Sequence, residues 1–374
     1  MINRKVFLRS LAGAAALLGL GGGTAVAAGG AGRAAGRLRG GVCYDTGVLH
    51  AAGEPLSRVR WSRQLLEREI AMIANDLRCP SITAFGSDLG RLAETTDAAL
   101  RRGMQVFVQP RFYDHPQTEI LAHMAEAARQ AERRRTGDNV KFVTGCEHFL
   151  FTPGIVPGDT FLERIENMPS IPQSDWPAIV RRFREFMAKA VEVTRREFHG
   201  RITYGAAAGA DAMWNDWSLF DIVGLDYYAH FETDAEYTTD LDKYRRWGKP
   251  LMILEFGCCT FTGAAKAGGM GWDIVDYEAD PPVIKPGFER DEREQAEHVA
   301  RMLRVFGTQP DVAGAHLYSA ISPDSPHHPT CRDRDYDMAS YGLFRPIRER
   351  FDDDNSPYRL EPKKSFYAFQ RHNR

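Results

Sequence analysis

Strand-length apolar stretches alternate with helical ones along this 374-residue chain, two of those strands end on a glutamate, and no Gly-x-Gly-x-x-Gly follows the first strand. Together these observations predict an α/β protein, a single (β/α)8 TIM barrel with enlarged βα loops over residues 40–374. An open doubly wound sheet is the alternative, and the absent glycine fingerprint and phosphate loop count against its nucleotide-binding versions.

The composition fits a globular chain: 43% hydrophobic residues, with 48 Lys and Arg against 50 Asp and Glu. A net charge of −2 offers no electrostatic reason to expect nucleic acid or an anionic membrane as partner. Asn3-Arg4-Lys5-Val6-Phe7-Leu8-Arg9 precedes an Ala/Gly/Leu run, and Ala25-Val26-Ala27 offers small residues for cleavage. Residues 1–27 therefore read as an export signal of twin-arginine type with one arginine replaced by lysine, an ordinary secretory signal or retained anchor being the alternative. Residues 28–39, rich in Gly, Ala and Arg, read as a flexible leader. The expected location is secreted or cell-envelope, with no integral membrane span in the mature form. Export permits disulfides, yet the six cysteines contain no Cys-x-x-Cys, so small buried thiols and a disulfide near the site both stay open.

The elements follow in order. Gly41 to Asp45 is the first strand, and Leu65, Leu66, Ile70 and Ile73 recur at helical spacing between Ser62 and Asn75. Ser81 to Ser87 is the second strand, with a helix from Leu89 to Arg102, and Met104 to Pro110 the third, with a helix from Gln117 to Arg135. Val140 to Glu147 is the fourth. The connection from Phe149 to Trp176, punctuated by prolines, reads as an active-site wall. A helix from Pro177 to Phe198, strands at 202–208 and 221–228, and a strand from Leu251 ending on Glu255 follow. After a Gly/Pro-rich loop from Gly257 to Gly287, a charged helix from Asp291 to Phe306 leads to the eighth strand, Val312 to Ser319, and a short helix spans Lys363 to Gln370.

In a barrel the C-terminal strand ends share one face, so Glu147 and Glu255 are predicted to meet across the cleft. Two carboxylates flanking a glycosidic bond are the chemistry of its hydrolysis. Strand alternation puts Asp226, Tyr228 and His230 on one face and His316 with Tyr318 on another, and turns Cys146 and His148 away from Glu147 unless the strand ends there. Asp45 and Arg111, after strands one and three, are candidates for binding hydroxyls or for ordinary salt bridges. Trp214, Trp217 and Trp272 lie in loops of the active face and suit stacking on sugar, or loop packing. His230 and His316 serve as site hydrogen bonders or as structural histidines.

The run Pro250-x-x-x-x-Glu255-Phe256-Gly257, the strand Ile222-Val223-Gly224-Leu225-Asp226-Tyr227-Tyr228 and the segment Gly314-Ala315-His316-Leu317-Tyr318-Ser319 resemble the clan A glycoside hydrolases, retaining (β/α)8 enzymes. The resemblance implies Glu147 as acid/base, Glu255 as nucleophile, Tyr228 as the tyrosine that holds the nucleophile, and Tyr318 at the sugar-binding floor. It implies a carbohydrate substrate. One departure stands out: Cys146 occupies the place of the usual asparagine that contacts the sugar 2-hydroxyl. The mechanism implied is double displacement, for which the carboxyl groups must lie about 5 to 5.5 Å apart. The segments Glu147-His148-Phe149-Leu150-Phe151-Thr152-Pro153-Gly154 and Asp337-Met338-Ala339-Ser340-Tyr341-Gly342 also resemble actinobacterial proteins of this type.

Two other classes remain. A metal-dependent barrel hydrolase would draw ligands from His148, His230, His316, Asp226 and the glutamates, but no His-x-His lies on the first strand and no compact ligand spacing appears, so no metal and no cofactor is expected. A carbohydrate-binding barrel without catalysis is the other, favoured by Cys146. A Schiff-base lyase fits less well, since Lys141 and Lys249 precede their strands.

Overall fold

A computed structural model describes residues 38–50 and 55–374. Eight parallel strands close into a barrel: β1 (Gly41–Asp45), β2 (Ser81–Gly86), β3 (Gln105–Pro110), β4 (Val140–Cys146), β5 (Ile202–Ala207), β6 (Val223–Asp226), β7 (Leu251–Phe256) and β8 (Val312–Leu317). Each pairs with its neighbours in sequence, and Gly41 opposite His316 closes the ring. The segment read as an export signal lies outside the described residues. Leu38, inside the stretch read as a leader, is packed: its side chain is in the main core and its carbonyl faces His372 Nε2 at 2.8 Å. Among the described residues no helix is long and apolar enough to cross a membrane.

The helices form where amphipathic spacing predicts them, and their caps set the bounds. Ser62 caps the helix Arg63–Asn75 by accepting from Leu65 N–H. That helix buries Leu65, Leu66, Ile70 and Ile73, and also Glu69, which accepts hydrogen bonds from Tyr44, Tyr358 and Arg58. The helix Asp234–Arg245 buries a short stripe of Tyr237, Leu241 and Tyr244, mostly tyrosine, which apolar spacing missed; a capping box between Thr233 and Glu236 starts it. A second capping box, Thr160 with Glu163, starts the helix Phe161–Asn167 inside the long connection. Arg164 ties that connection down, ion-paired to Asp114 and donating to the carbonyls of Leu150 and Gly158.

One position in the helix ring is empty. Between β5 and β6 the chain makes only two short turns, Asp211–Trp214 and Trp217–Leu219, flanked by the helices Trp176–Glu197 and Asp234–Arg245.

Inside the barrel Phe107, Val143, Ile222, Met252 and Leu254 form a compact layer. Above the mouth the loop after β7 packs on the C-terminal tail: Cys258, Cys259, Phe261 and Ile274 bury against Met338, Ala339 and Tyr341. All six cysteines are free thiols, and Cys259 Sγ donates to the Ala339 carbonyl at 3.1 Å. The tail is anchored by Lys363, whose ammonium reaches Thr260 Oγ1 at 2.8 Å and the buried Asp337 at 3.3 Å. Arg290 holds the other Asp337 oxygen at 2.7 Å.

Candidate active site

Glu255 ends on the inner face of β7 and is only 6% exposed. One carboxylate oxygen is ion-paired with Arg111, and the other accepts from Tyr228 Oη at 2.9 Å. Arg111 is itself fixed: Gln109 Oε1 accepts from its Nε and Nη2 at 3.0 and 2.7 Å, and its guanidinium lies 4.0 Å above the Phe85 ring. Both oxygens of Glu255 are therefore oriented, and a buried cation matches its charge.

Glu147 arrives differently. The β4–β5 register shifts between Val143 and Cys146, and the backbone leaves the strand through two left-handed residues, Gly145 (φ 94°) and Glu147 (φ 42°). Left-handed backbone at a non-glycine residue is strained, and such strain gathers at functional sites. The shift breaks simple alternation. Cys146 faces inward, with its Sγ 3.5 Å from Asp226 Oδ2, while the half-buried Glu147 stands at the mouth directly after it. His148 turns into the wall, where its ring meets the Thr144 carbonyl at 2.7 Å and Thr152 Oγ1 at 2.8 Å. Burial, with the charges of Asp211 and Glu255 added, raises the Glu147 carboxyl to about 8, and Arg111 opposes the rise.

Asp226 closes β6 opposite Glu255 and is 2% exposed. Burial and the two glutamates push its carboxyl well above the carboxylate range, and its Oδ1 has no hydrogen-bond partner. Cys146, Asp226 and Glu255 bring one ligand atom each within 4.8 Å of one another, which makes them the group among the described residues that could hold a cation. Arg111 already places a positive charge on that group, and burial raises the Cys146 thiol away from the thiolate a metal needs.

Three further side chains support the site. Asp211, raised to about 7 by burial, accepts from Tyr204 Oη at 2.6 Å, and the same hydroxyl accepts from His148 N–H at 2.5 Å, next to Glu147. Gln109 is a polar residue after the apolar run Val106-Phe107-Val108, a signal that could have marked it. Tyr341, in the tail segment noted above, donates to the Gly268 carbonyl at 2.8 Å and lies edge-on to both Tyr228 and Tyr318, 5.8 Å from each.

The remaining sequence candidates divide by position. Tyr318 lies at the mouth, stacked on Phe85 at 5.6 Å and 5.9 Å from the Arg111 guanidinium; its bond to Ser319 is cis. Asp45 is engaged by its own loop, accepting from Gly47 N–H and Ser57 Oγ at 2.7 Å each. His316 sits deeper in the barrel, between Ser81 Oγ at 2.8 Å and Thr83 Oγ1 at 2.7 Å, with burial lowering it to about 3. It is one layer below the mouth, where both ring nitrogens are taken. His230 lies past the end of β6. Trp214 packs against Phe149, Trp176 and Phe183, Trp217 is fully buried, and Trp272 packs on the loop cluster above the mouth.

No family model and no curated protein matches the chain. Solved structures do. A GH113 β-1,4-mannanase is 13% identical with a TM-score of 0.56, over 90% of this chain and 98% of that one. The GH113 β-mannanase of Alicyclobacillus acidocaldarius gives 15% and 0.55 over 90% and 96%. The hyperthermophilic β-glucosidase of Pyrococcus furiosus gives 9% and 0.53 over 90% and 94%. The chain thus has the (β/α)8 fold of the clan A glycoside hydrolases.

Proposed function

We propose that the chain is an exported retaining glycoside hydrolase that cleaves O-glycosidic bonds of a poly- or oligosaccharide by double displacement. The observation that carries this reading is the asymmetry of the two glutamates. Glu255 has both oxygens oriented by Arg111 and Tyr228, whereas Glu147 has no such cation on its own carboxyl and is raised to about 8. A matched carboxylate suits attack on the anomeric carbon, and a carboxyl that keeps its proton at neutral pH suits donation to the leaving oxygen. In the first step Glu255 forms a bond to the anomeric carbon as the glycosidic C–O bond breaks and Glu147 gives its proton to the departing oxygen. In the second, Glu147 takes a proton from water, whose oxygen attacks the same carbon and releases Glu255. Tyr228 orients the nucleophile, and Tyr318 and Tyr341 wall the cleft. The basic, small-residue-terminated segment 1–27 supports export.

The test is exposure of the protein to activated 2-fluoro sugars, pyranose and furanose together, followed by peptide mass mapping. A glycosyl adduct on Glu255 is expected, and Glu255→Gln should lower kcat by about 10⁴-fold or more. Turnover without adduct that a chelator abolishes would overturn the reading in favour of a metal held by Cys146, Asp226 and Glu255.

A further inference from the structure

Both peptide planes that flank Glu147 are held from β5, by two consecutive residues of that strand. Glu147 N–H donates to the Gly205 carbonyl at 2.8 Å, and the next amide, His148 N–H, donates to Tyr204 Oη at 2.5 Å. The Glu147 carbonyl is taken as well, accepting from Leu150 N–H at 2.9 Å and Phe151 N–H at 3.2 Å. With both planes fixed, φ 42° and ψ 49° at Glu147 follow, and with them the direction in which its side chain leaves the backbone. A left-handed glutamate persists only where its surroundings over-determine it.

The Tyr204 hydroxyl is the costly part of that hold. Its ring lies among Phe183, Trp217 and Phe220, at centroid distances of 6.1 to 6.5 Å, and parallel to the His148 ring at 5.5 Å. Tyr204 is fully buried, and a phenylalanine would pack there without a polar atom to satisfy. The hydroxyl proton is committed to Asp211 Oδ2 at 2.6 Å, so the oxygen meets the His148 amide with a lone pair. Asp211 is itself fully buried, at the start of the turn Asp211–Trp214. Burying a carboxyl against a phenol costs free energy, and the amide that this pair serves is the one directly after Glu147.

We propose that Tyr204 is a positioning residue for the acid/base: its hydroxyl, aimed by Asp211, locks the left-handed turn and so points the Glu147 carboxyl at the bond to be cleaved. The part in catalysis rests on the reading of Glu147 as acid/base; the lock on the turn does not.

The test uses Tyr204→Phe, which removes one oxygen and keeps the ring, and Asp211→Ala, which keeps the hydroxyl and frees its proton. Parent and variants are assayed on phenyl and 2,4-dinitrophenyl glycosides of glucose, mannose, galactose, xylose and arabinose. A dinitrophenolate leaves without a proton and a phenolate needs one. A misplaced acid therefore shows in kcat/KM as a fall about tenfold or more larger for the phenyl glycoside, whereas partial unfolding lowers both alike. The second readout needs no turnover: amide exchange at His148, followed by NMR, should quicken about tenfold or more in Tyr204→Phe relative to the amides of β3. Asp211→Ala should move both readouts the same way by less. Equal falls for the two leaving groups in both variants, or unchanged exchange at His148 in both, would overturn the proposal. Faster exchange at His148 in a protein that neither turns over glycosides nor forms an adduct on Glu255 would keep the lock on the turn and sink the catalytic reading alone.

Discussion

Glu147 links the chemistry of the site to its stability. A glutamate titrates near 4.3 in the unfolded chain and at about 8 here, so between those pH values the folded chain keeps a proton that the unfolded one has released. Stability therefore falls as pH rises through that window. Glu147→Gln removes the dependence: melting followed by circular dichroism should show little change at pH 4.5 and, at pH 8, a gain of about 2–4 °C for each kcal/mol of burial penalty relieved. In the parent, kcat/KM should decline as pH passes about 8, and that limb should disappear in the variant along with most turnover of substrates with poor leaving groups. At this scale the sequence was readable where a residue ended a strand. Glu147, Glu255 and Tyr228 could be placed because strand ends share one face. His316 lies two positions before Tyr318 on the same side, and alternation fixes the side of a strand but not the depth, so a histidine bonded to Ser81 and Thr83 read the same as one at the mouth. Asp211 was unreadable, since its role comes from Tyr204 on another segment.

At the scale of the element, β4 matters most. Its last turn places Cys146 inward and Glu147 at the mouth through a register shift that no residue pattern announces. Gly145 makes the shift possible: at φ 94° a Cβ would stand 2.3 Å from His148 Nε2. Gly145→Ala should destabilise the protein by about 1–3 kcal/mol in urea unfolding and lower kcat more than it raises KM, because it moves Glu147 rather than the aromatic side chains at the mouth. A variant with parental kcat would show that the turn does not position Glu147. Helices were legible where an aliphatic stripe marked them, as at Arg63–Asn75, and missed where the stripe was short and mostly tyrosine, as at Asp234–Arg245. The missing helix between β5 and β6 had no positive signature at all. It is seen only as a gap between neighbours.

Across the whole molecule, the mouth is finished by a distant part of the chain. Lys363 and Arg290 clamp the buried Asp337, and the segment that follows carries Tyr341 to Tyr228 and Tyr318. Lys363→Met leaves Asp337 with one cation instead of two and should lower unfolding stability by about 3 kcal/mol, with the Lys363→Met/Asp337→Asn pair recovering part of it; equal loss in both would show that the ion pair is not the cause. The barrel was predictable from eight alternating segments, but this clamp was not, because it joins charges from three stretches that look like ordinary surface charge in sequence. The clamp also bears on truncation. Glu147, Glu255 and Tyr228 all precede β8 in the chain, and Tyr341 follows it. A chain cut before Tyr341 would therefore keep both glutamates and Tyr228 but lose the ring that lies edge-on to Tyr228 and Tyr318.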